Sequence, residues 1–179
     1  MKKLKYISLV LIIFTFLVSC DNEASIQQFY VDSEEDSNYL MLDVPTSIVS
    51  LPETASAKSK QAYKSIDKVN LLAFKINDSN REEYKVEKTK VKKILKNPAY
   101  IELMRMNSNG NNIVAKYVGS EDSIEELIVF ASNKEHGFAL ARILGDDMKP
   151  ENMVELLNNV KDINKDSDVF SKVENFFKN

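Results

Sequence analysis

One cysteine, one histidine and no tryptophan occur among the 179 residues, and these scarcities remove much familiar chemistry. Cys20 has no second thiol with which to form an internal disulfide or a thiolate metal site. His136 lies between Glu135 and Gly137 in a predicted turn, where a surface loop residue is expected, because zinc calls for several His or Cys ligands. Without a second His or Cys the usual nucleophile–base pairs are missing. Glu125 and Glu126 are adjacent on a predicted strand and so point to opposite faces, which keeps them from sharing a substrate. The four glycines form no Gly-rich phosphate loop. These shortages predict no catalytic residues, no metal and no cofactor. Positive charge is not in excess either: the formal net charge is −3, which argues against a nucleic-acid partner, since such partners reward clustered Lys and Arg.

A long hydrophobic run is also missing. The apolar stretch Ile7 to Val18 has twelve residues, short of the roughly 20 that span a bilayer as a helix. It follows the basic start MKKLKY and ends at Leu17-Val18-Ser19-Cys20, the layout of a secretory signal peptide over residues 1–19. Leu17 to Cys20 resembles the lipobox of bacterial lipoproteins. That resemblance implies a diacylglycerol on the Cys20 sulfur, with further acylation (palmitate-type chains), and cleavage of the bond before it. Each buried methylene adds about 0.8 kcal/mol, so several acyl chains anchor firmly. The expected location is the periplasmic or outer surface of the cell envelope, with the membrane as a partner through acylated Cys20. Removal of Lys2, Lys3 and Lys5 would shift the formal charge from −3 to −6.

Residues 20–38, containing DNEASIQQFYVDSEEDSN, are polar and acidic and read as a flexible tether. Asp32, Glu34 and Asp36 alternate like the start of a calcium loop, but Ser37 stands where such a loop needs glycine. Residues 39–179 are expected to form a single α+β domain. Asn38 to Val44 reads as a strand with Leu40, Leu42 and Val44 on one face. Ser56 to Ile66 reads as a short helix, and Asp67 to Ile76 as a buried strand. Arg81 to Lys96 is the clearest helix, with acids in its first turn and lysines in its last. Its lysine face is expected to be solvated, with docking to an anionic lipid or polymer as the sharper alternative.

From Tyr100 the apolar period becomes two. Residues 100–106, 111–118, 123–131 and 137–144 are four strand-like runs separated by Ser108 to Gly110, Gly119-Ser120 and Asn133 to Gly137. Asn109-Gly110 is a hairpin signal, and links this short demand antiparallel neighbours. The fold predicted is a four-strand antiparallel meander extended by one or two earlier strands, with helices packed on the sheet. A final hairpin centred near Lys134 would set Glu126 opposite Arg142 and Phe130 opposite Phe138, with Lys116 beside Glu126. Lys116, Glu126 and Arg142 would then form a charged row on a face that also carries Leu103, Val114, Ile128, Phe130, Phe138 and Leu140. A solvent-side ion-pair ladder is the plain interpretation. Were that face uncovered, Lys116, Glu126, Arg142, Phe130 and Phe138 would be a partner-binding surface.

Residues 146–160 are expected to form a helix behind an Asp cap, with Pro150 in its first turn. Asp162, Asn164, Asp166 and Asp168 again mimic a calcium loop, but Ser167 replaces the glycine and Val173 the closing glutamate. A short amphipathic helix with Val169, Val173, Phe176 and Phe177 inward closes the chain.

The run Lys96 to Met106, the Ser-Asn-Gly hairpin, SIEELIVFA and FALARILGDD together resemble envelope lipoproteins of Gram-negative bacteria grouped as domain of unknown function 4252. The likeness runs from about Tyr39 to Val160. It implies an exported, lipid-anchored α+β domain and supplies no catalytic residues. The favoured function is a non-catalytic module binding an envelope protein partner; the alternative is a binder of small molecules or cell-wall glycan, or a weak carboxylate hydrolase.

Overall fold

Ser25 opens the first helix by accepting the Gln28 amide on its side chain at 3.1 Å, as an N-cap serine does. The computed structural model describes residues 24–46, 51–108, 110–159 and 168–178. The leader 1–19, Cys20 and the calcium-like residues Asp162, Asn164 and Asp166 lie outside them.

Helix α1, Ile26–Asp32, places Ile26, Phe29 and Tyr30 in the core. Over residues 26–32 this corrects the acidic tether expected for 20–38. Ile26, Phe29 and Tyr30 recur at the spacing of one helical face, a pattern masked by the acidic residues that follow. Strand β1 is Tyr39–Pro45, helix α2 Ala57–Lys64, strand β2 Ile66–Lys75 and helix α3 Arg81–Ile94. Strands β3 (Ile101–Ser108), β4 (Asn111–Gly119), β5 (Ile124–Asn133) and β6 (Gly137–Met148) follow, then helices α4 (Pro150–Asn158) and α5 (Asp168–Lys178).

All six strands join one antiparallel sheet in the order β1-β2-β6-β5-β4-β3. The predicted meander is present, and β1 and β2 extend it beside β6, giving an α+β fold. Helix α3 carries the chain across one face, from β2 to β3 at the far edge. Its acidic residues Glu82 and Glu83 sit in the first turn and Lys92 and Lys93 in the last, each opposed to the local end of the helix dipole. The β3–β4 hairpin pairs Ser108 with Asn111, and Gly110 takes φ +78°, the left-handed conformation that glycine adopts without strain.

Strand β6 runs farther than expected. Asp146 and Asp147 belong to it, and α4 starts at Pro150 with Lys149, not an aspartate, at the N-cap. Gly145 makes this extension feasible: it pairs with Ile66, and a Cβ there would lie 1.9 Å from the Ser65 carbonyl oxygen. Asp146 donates its amide to that same oxygen at 3.0 Å.

Alternation along the strands builds a core on each side of the sheet. On the first face Leu72, Phe74, Ile128, Phe130, Phe138 and Leu140 are buried beneath α1 and α3. On the second, Ala115, Tyr117, Leu127 and Ile143 pack with Ala62 of α2 and with Met153 and Leu156 of α4. A register shift between Glu102 and Met104 turns Leu103 to the second face, not the first as expected.

Candidate functional site

The charged row predicted across β4, β5 and β6 keeps its face but not its register. Asn133 accepts the amides of Glu135 and His136 on its side-chain oxygen at 2.8 and 3.3 Å. Asn133 pairs with Gly137, so the turn centres on Glu135 rather than Lys134. One residue at the turn moves every pair by two. Ile128 therefore stands between Lys116 and Arg142, Phe130 opposes Leu140, and Glu126 lies opposite Leu144 and Val118. A two-residue shift preserves which face each side chain takes.

Arg142 still reaches Glu126 diagonally, Nη2 to Oε2 at 2.9 Å, with each side chain 18 % exposed. The Arg142 Nε is buried and has no hydrogen-bond partner among the described residues. Lys116 does something else: its ammonium donates to the carbonyls of Leu95 at 2.6 Å and Tyr100 at 3.0 Å. Leu95 is the α3 C-cap, so this cation satisfies carbonyls at the negative end of the helix dipole.

Phe130 and Phe138 are 2 % and 1 % exposed. Phe74 stacks on Phe138 with centroids 5.5 Å apart, and Tyr39 meets Phe74 edge-on at 5.0 Å. The Tyr30 hydroxyl of α1 donates to the Leu140 carbonyl at 2.6 Å, with the Asn70 carbonyl 2.9 Å away. Burial pushes its pKa well above the usual tyrosine range. Phe130 and Phe138 are thus buried beneath α1 and α3, so the face expected to meet a partner offers no broad apolar patch. Its edge beside the end of α3 stays open in a cleft lined by Lys116.

The second face borders a wholly apolar space. A cavity of about 350 Å³ lies between β1, β2 and β6 and helices α2, α4 and α5. Leu71, Ala141, Ile143, Met153, Leu157 and Val173 are among its walls. Tyr63 and Thr46 also line it, and the Tyr63 hydroxyl donates to the Thr46 carbonyl, which leaves its ring facing the space. Alternating apolar residues revealed the strand faces, but no periodicity reveals where two helices leave a gap.

Carboxylates gather where Asp36 and Glu87 lie near Glu83, whose pKa is raised by partial desolvation first and then by Asp36 and Glu87. Asn38 donates to both Glu83 carboxylate oxygens at 3.1 Å. Neither Asp36 nor Glu83 lines the apolar cavity. His136 is exposed in the β5–β6 turn, and Glu125 is exposed at the irregularity between Ile124 and Glu126 on β5. No group of three or more His, Cys, Asp or Glu suited to a metal ion occurs among the described residues. Nor, among them, is any helix long and apolar enough to cross a membrane.

No curated protein and no solved structure matches the chain. The family model described as Domain of unknown function (DUF4252) matches residues 29–156, from Phe29 of α1 through Leu156 of α4. That span takes in the whole sheet, α2, α3 and most of α1 and α4, and leaves out α5; the chain belongs to the DUF4252 family.

Proposed function

We propose that this protein is a non-catalytic binding module of the cell envelope, exported by its basic and apolar leader, acylated at Cys20 and held on the membrane. Its ligand is an apolar chain, such as a lipid acyl or prenyl group, seated between the second sheet face and helices α4 and α5. The observation that carries this is the cavity of about 350 Å³ with aliphatic walls. Protein interiors normally leave few voids larger than a water molecule. An apolar cavity is not filled by water, whereas each methylene transferred into it gains about 0.8 kcal/mol. Its volume falls within the range of about 300–1,000 Å³ typical of ligand sites.

A glycan would need several hydrogen-bonding groups around it. The cavity walls offer few, and the Tyr63 hydroxyl is already engaged. The Asp36–Glu83 pair lies outside this space, so a carboxylate hydrolase gains no support from it.

Displacement of a fluorescent polyene fatty acid from the full chain tests the ligand class. Saturable binding, competed by fatty acids and not by sugars, is expected; a failure to saturate would sink the proposal. The anchor is tested separately by labelling cells with an alkynyl fatty acid. Label and membrane retention should both disappear in Cys20→Ser.

A further inference from the structure

A second cleft, of about 250 Å³, opens on the first side of the sheet between the C-terminal half of α3 and strands β3, β4 and β5. Four cationic side chains line it, Lys92, Lys96, Arg105 and Lys116, against one carboxylate, Glu102. Glu102 is engaged by Arg105 through Nε at 3.1 Å and Nη2 at 2.6 Å. Lys92 and Lys96 make no ion pair among the described residues. The Lys92 pKa is lowered by partial desolvation and then by the positive charges of Lys88, Arg105 and Lys96. Cations gathered this closely repel one another unless an anion joins them.

An independent observation comes from Ser132. It is 4 % exposed, lines the same cleft, and its hydroxyl has no hydrogen-bond partner among the described residues. Buried hydroxyls are normally satisfied. A hydroxyl donor in a cleft walled by ammonium and guanidinium groups suits a tetrahedral oxyanion, which accepts several charge-assisted hydrogen bonds at once.

We propose that this cleft binds a phosphate group, and that the group is supplied by the headgroup of an anionic phospholipid. The headgroup source rests on the anchoring of Cys20; the phosphate chemistry does not. Lys96 also lines the neighbouring cleft that includes Ala24 and Ser25. Cys20 precedes Ala24 by four residues, at most about 14 Å of chain even when fully extended. An acylated Cys20 would hold the end of α3 at headgroup level.

The test titrates the isotopically labelled full chain, in non-ionic detergent, with inorganic phosphate, dihexanoyl phosphatidylglycerol and dihexanoyl phosphatidylcholine, following backbone amide shifts. Inorganic phosphate and the phosphatidylglycerol should both move Lys92, Arg105 and Ser132, and the zwitterionic lipid should bind at least about tenfold more weakly. Ser132→Ala removes a hydroxyl on which the fold places no bond. It should weaken phosphate binding about tenfold while thermal stability stays unchanged or rises. Lys92→Gln with Lys96→Gln should weaken it further. Absence of shifts with phosphate, or undiminished binding by Ser132→Ala, would overturn the site. Binding of phosphate without the phosphatidylglycerol would overturn the headgroup source. None of these titrations depends on acylation, so a failure of the Cys20 anchor shows only in the labelling experiment.

Discussion

Strands β2 and β6 show their two faces side by side. Leu72 pairs with Leu140 and Phe74 with Phe138 on the first face, while Leu71 pairs with Ala141 and Ala73 with Ala139 on the second. Backbone, register and neighbours are shared, so side-chain volume is the variable. Large residues meeting Ile26, Phe29 and Tyr84 close the first face. Small ones on the second leave the cavity beneath α4 and α5. Around Leu72, Phe74, Phe138 and Leu140 the first face is filled, as interiors usually are, while beside Leu71 and Ala141 the second keeps room for a guest.

Adjacent leucines on β2 give the sharpest test. Leu72 is fully buried on the first face, and Leu71 borders the cavity. Leu72→Ala should lose about 4 kcal/mol of unfolding free energy and Leu71→Ala about 2 kcal/mol, toward the two ends of the range for such truncations. Urea melts of the two variants would measure the difference. Equal losses would mean that the faces are equally packed.

The ion pair on the closed face comes next. Glu126→Gln leaves the Arg142 guanidinium, 18 % exposed, without its carboxylate. Breaking fully buried pairs is costlier, so about 2 kcal/mol of destabilisation is expected for this partly exposed one. A double-mutant cycle with Arg142→Met isolates the coupling. A coupling near zero would make the pair an ordinary surface contact and weaken the case that this face is sealed.

Much of this contrast was legible in the sequence, and the remainder was not, for identifiable reasons. Alternation of apolar residues from Tyr100 onward located the meander, and Asn109-Gly110 its first turn, because both signals are local. The pairing of Glu126 depended on whether the last turn centres on Lys134 or Glu135, which the Asn133 side chain decides through its hydrogen bonds to the turn amides. Parity survived the shift at the last turn, so the residues of the first face on β4, β5 and β6 were grouped correctly although their partners were not. Leu103 on β3 was misplaced by the separate shift beside it. Burial of Phe130 and Phe138 depended on α1, whose three buried apolar residues sit in an acidic stretch that reads as linker. The cavity had no sequence signal at all, since it arises from how α2, α4 and α5 meet the sheet. Ser132 falls just past the strand-like run 123–131 and carried no signal of its own; what marks it is a buried hydroxyl with no partner among the described residues.

Filling the open face should act in the opposite sense to the truncations. Ala141→Val adds two methyl-sized groups facing the cavity, on a strand position that favours β-branching. Cavity filling of this kind adds about 1 kcal/mol to stability. The same variant should weaken binding of the fluorescent fatty acid, since ligand and methyl groups compete for one space. A gain in stability with unchanged binding would place the ligand elsewhere. A loss of stability would mean that the cavity walls cannot make room.

The smallest expected effect concerns the rim of the closed face, where Asn38 beside β1 holds Glu83 of α3. The Glu83 pKa is raised above 4.5 by desolvation, Asp36 and Glu87, so the folded state holds its proton more tightly than the unfolded chain does. Stability from this group is therefore fully present below pH 4.5 and is lost as pH rises through the folded-state value. At neutral pH the charged form is a liability, since Glu83 and Glu87 repel as an i,i+4 pair. Glu83→Gln should raise stability at pH 7 by about 0.3 kcal/mol, with the gain shrinking as the solution approaches pH 4.5. Thermal melts across that window measure it. A gain that persists at low pH would show that the glutamine acts through its hydrogen bonds and not through lost charge. The closure of the first face would then owe nothing to the protonation of its rim.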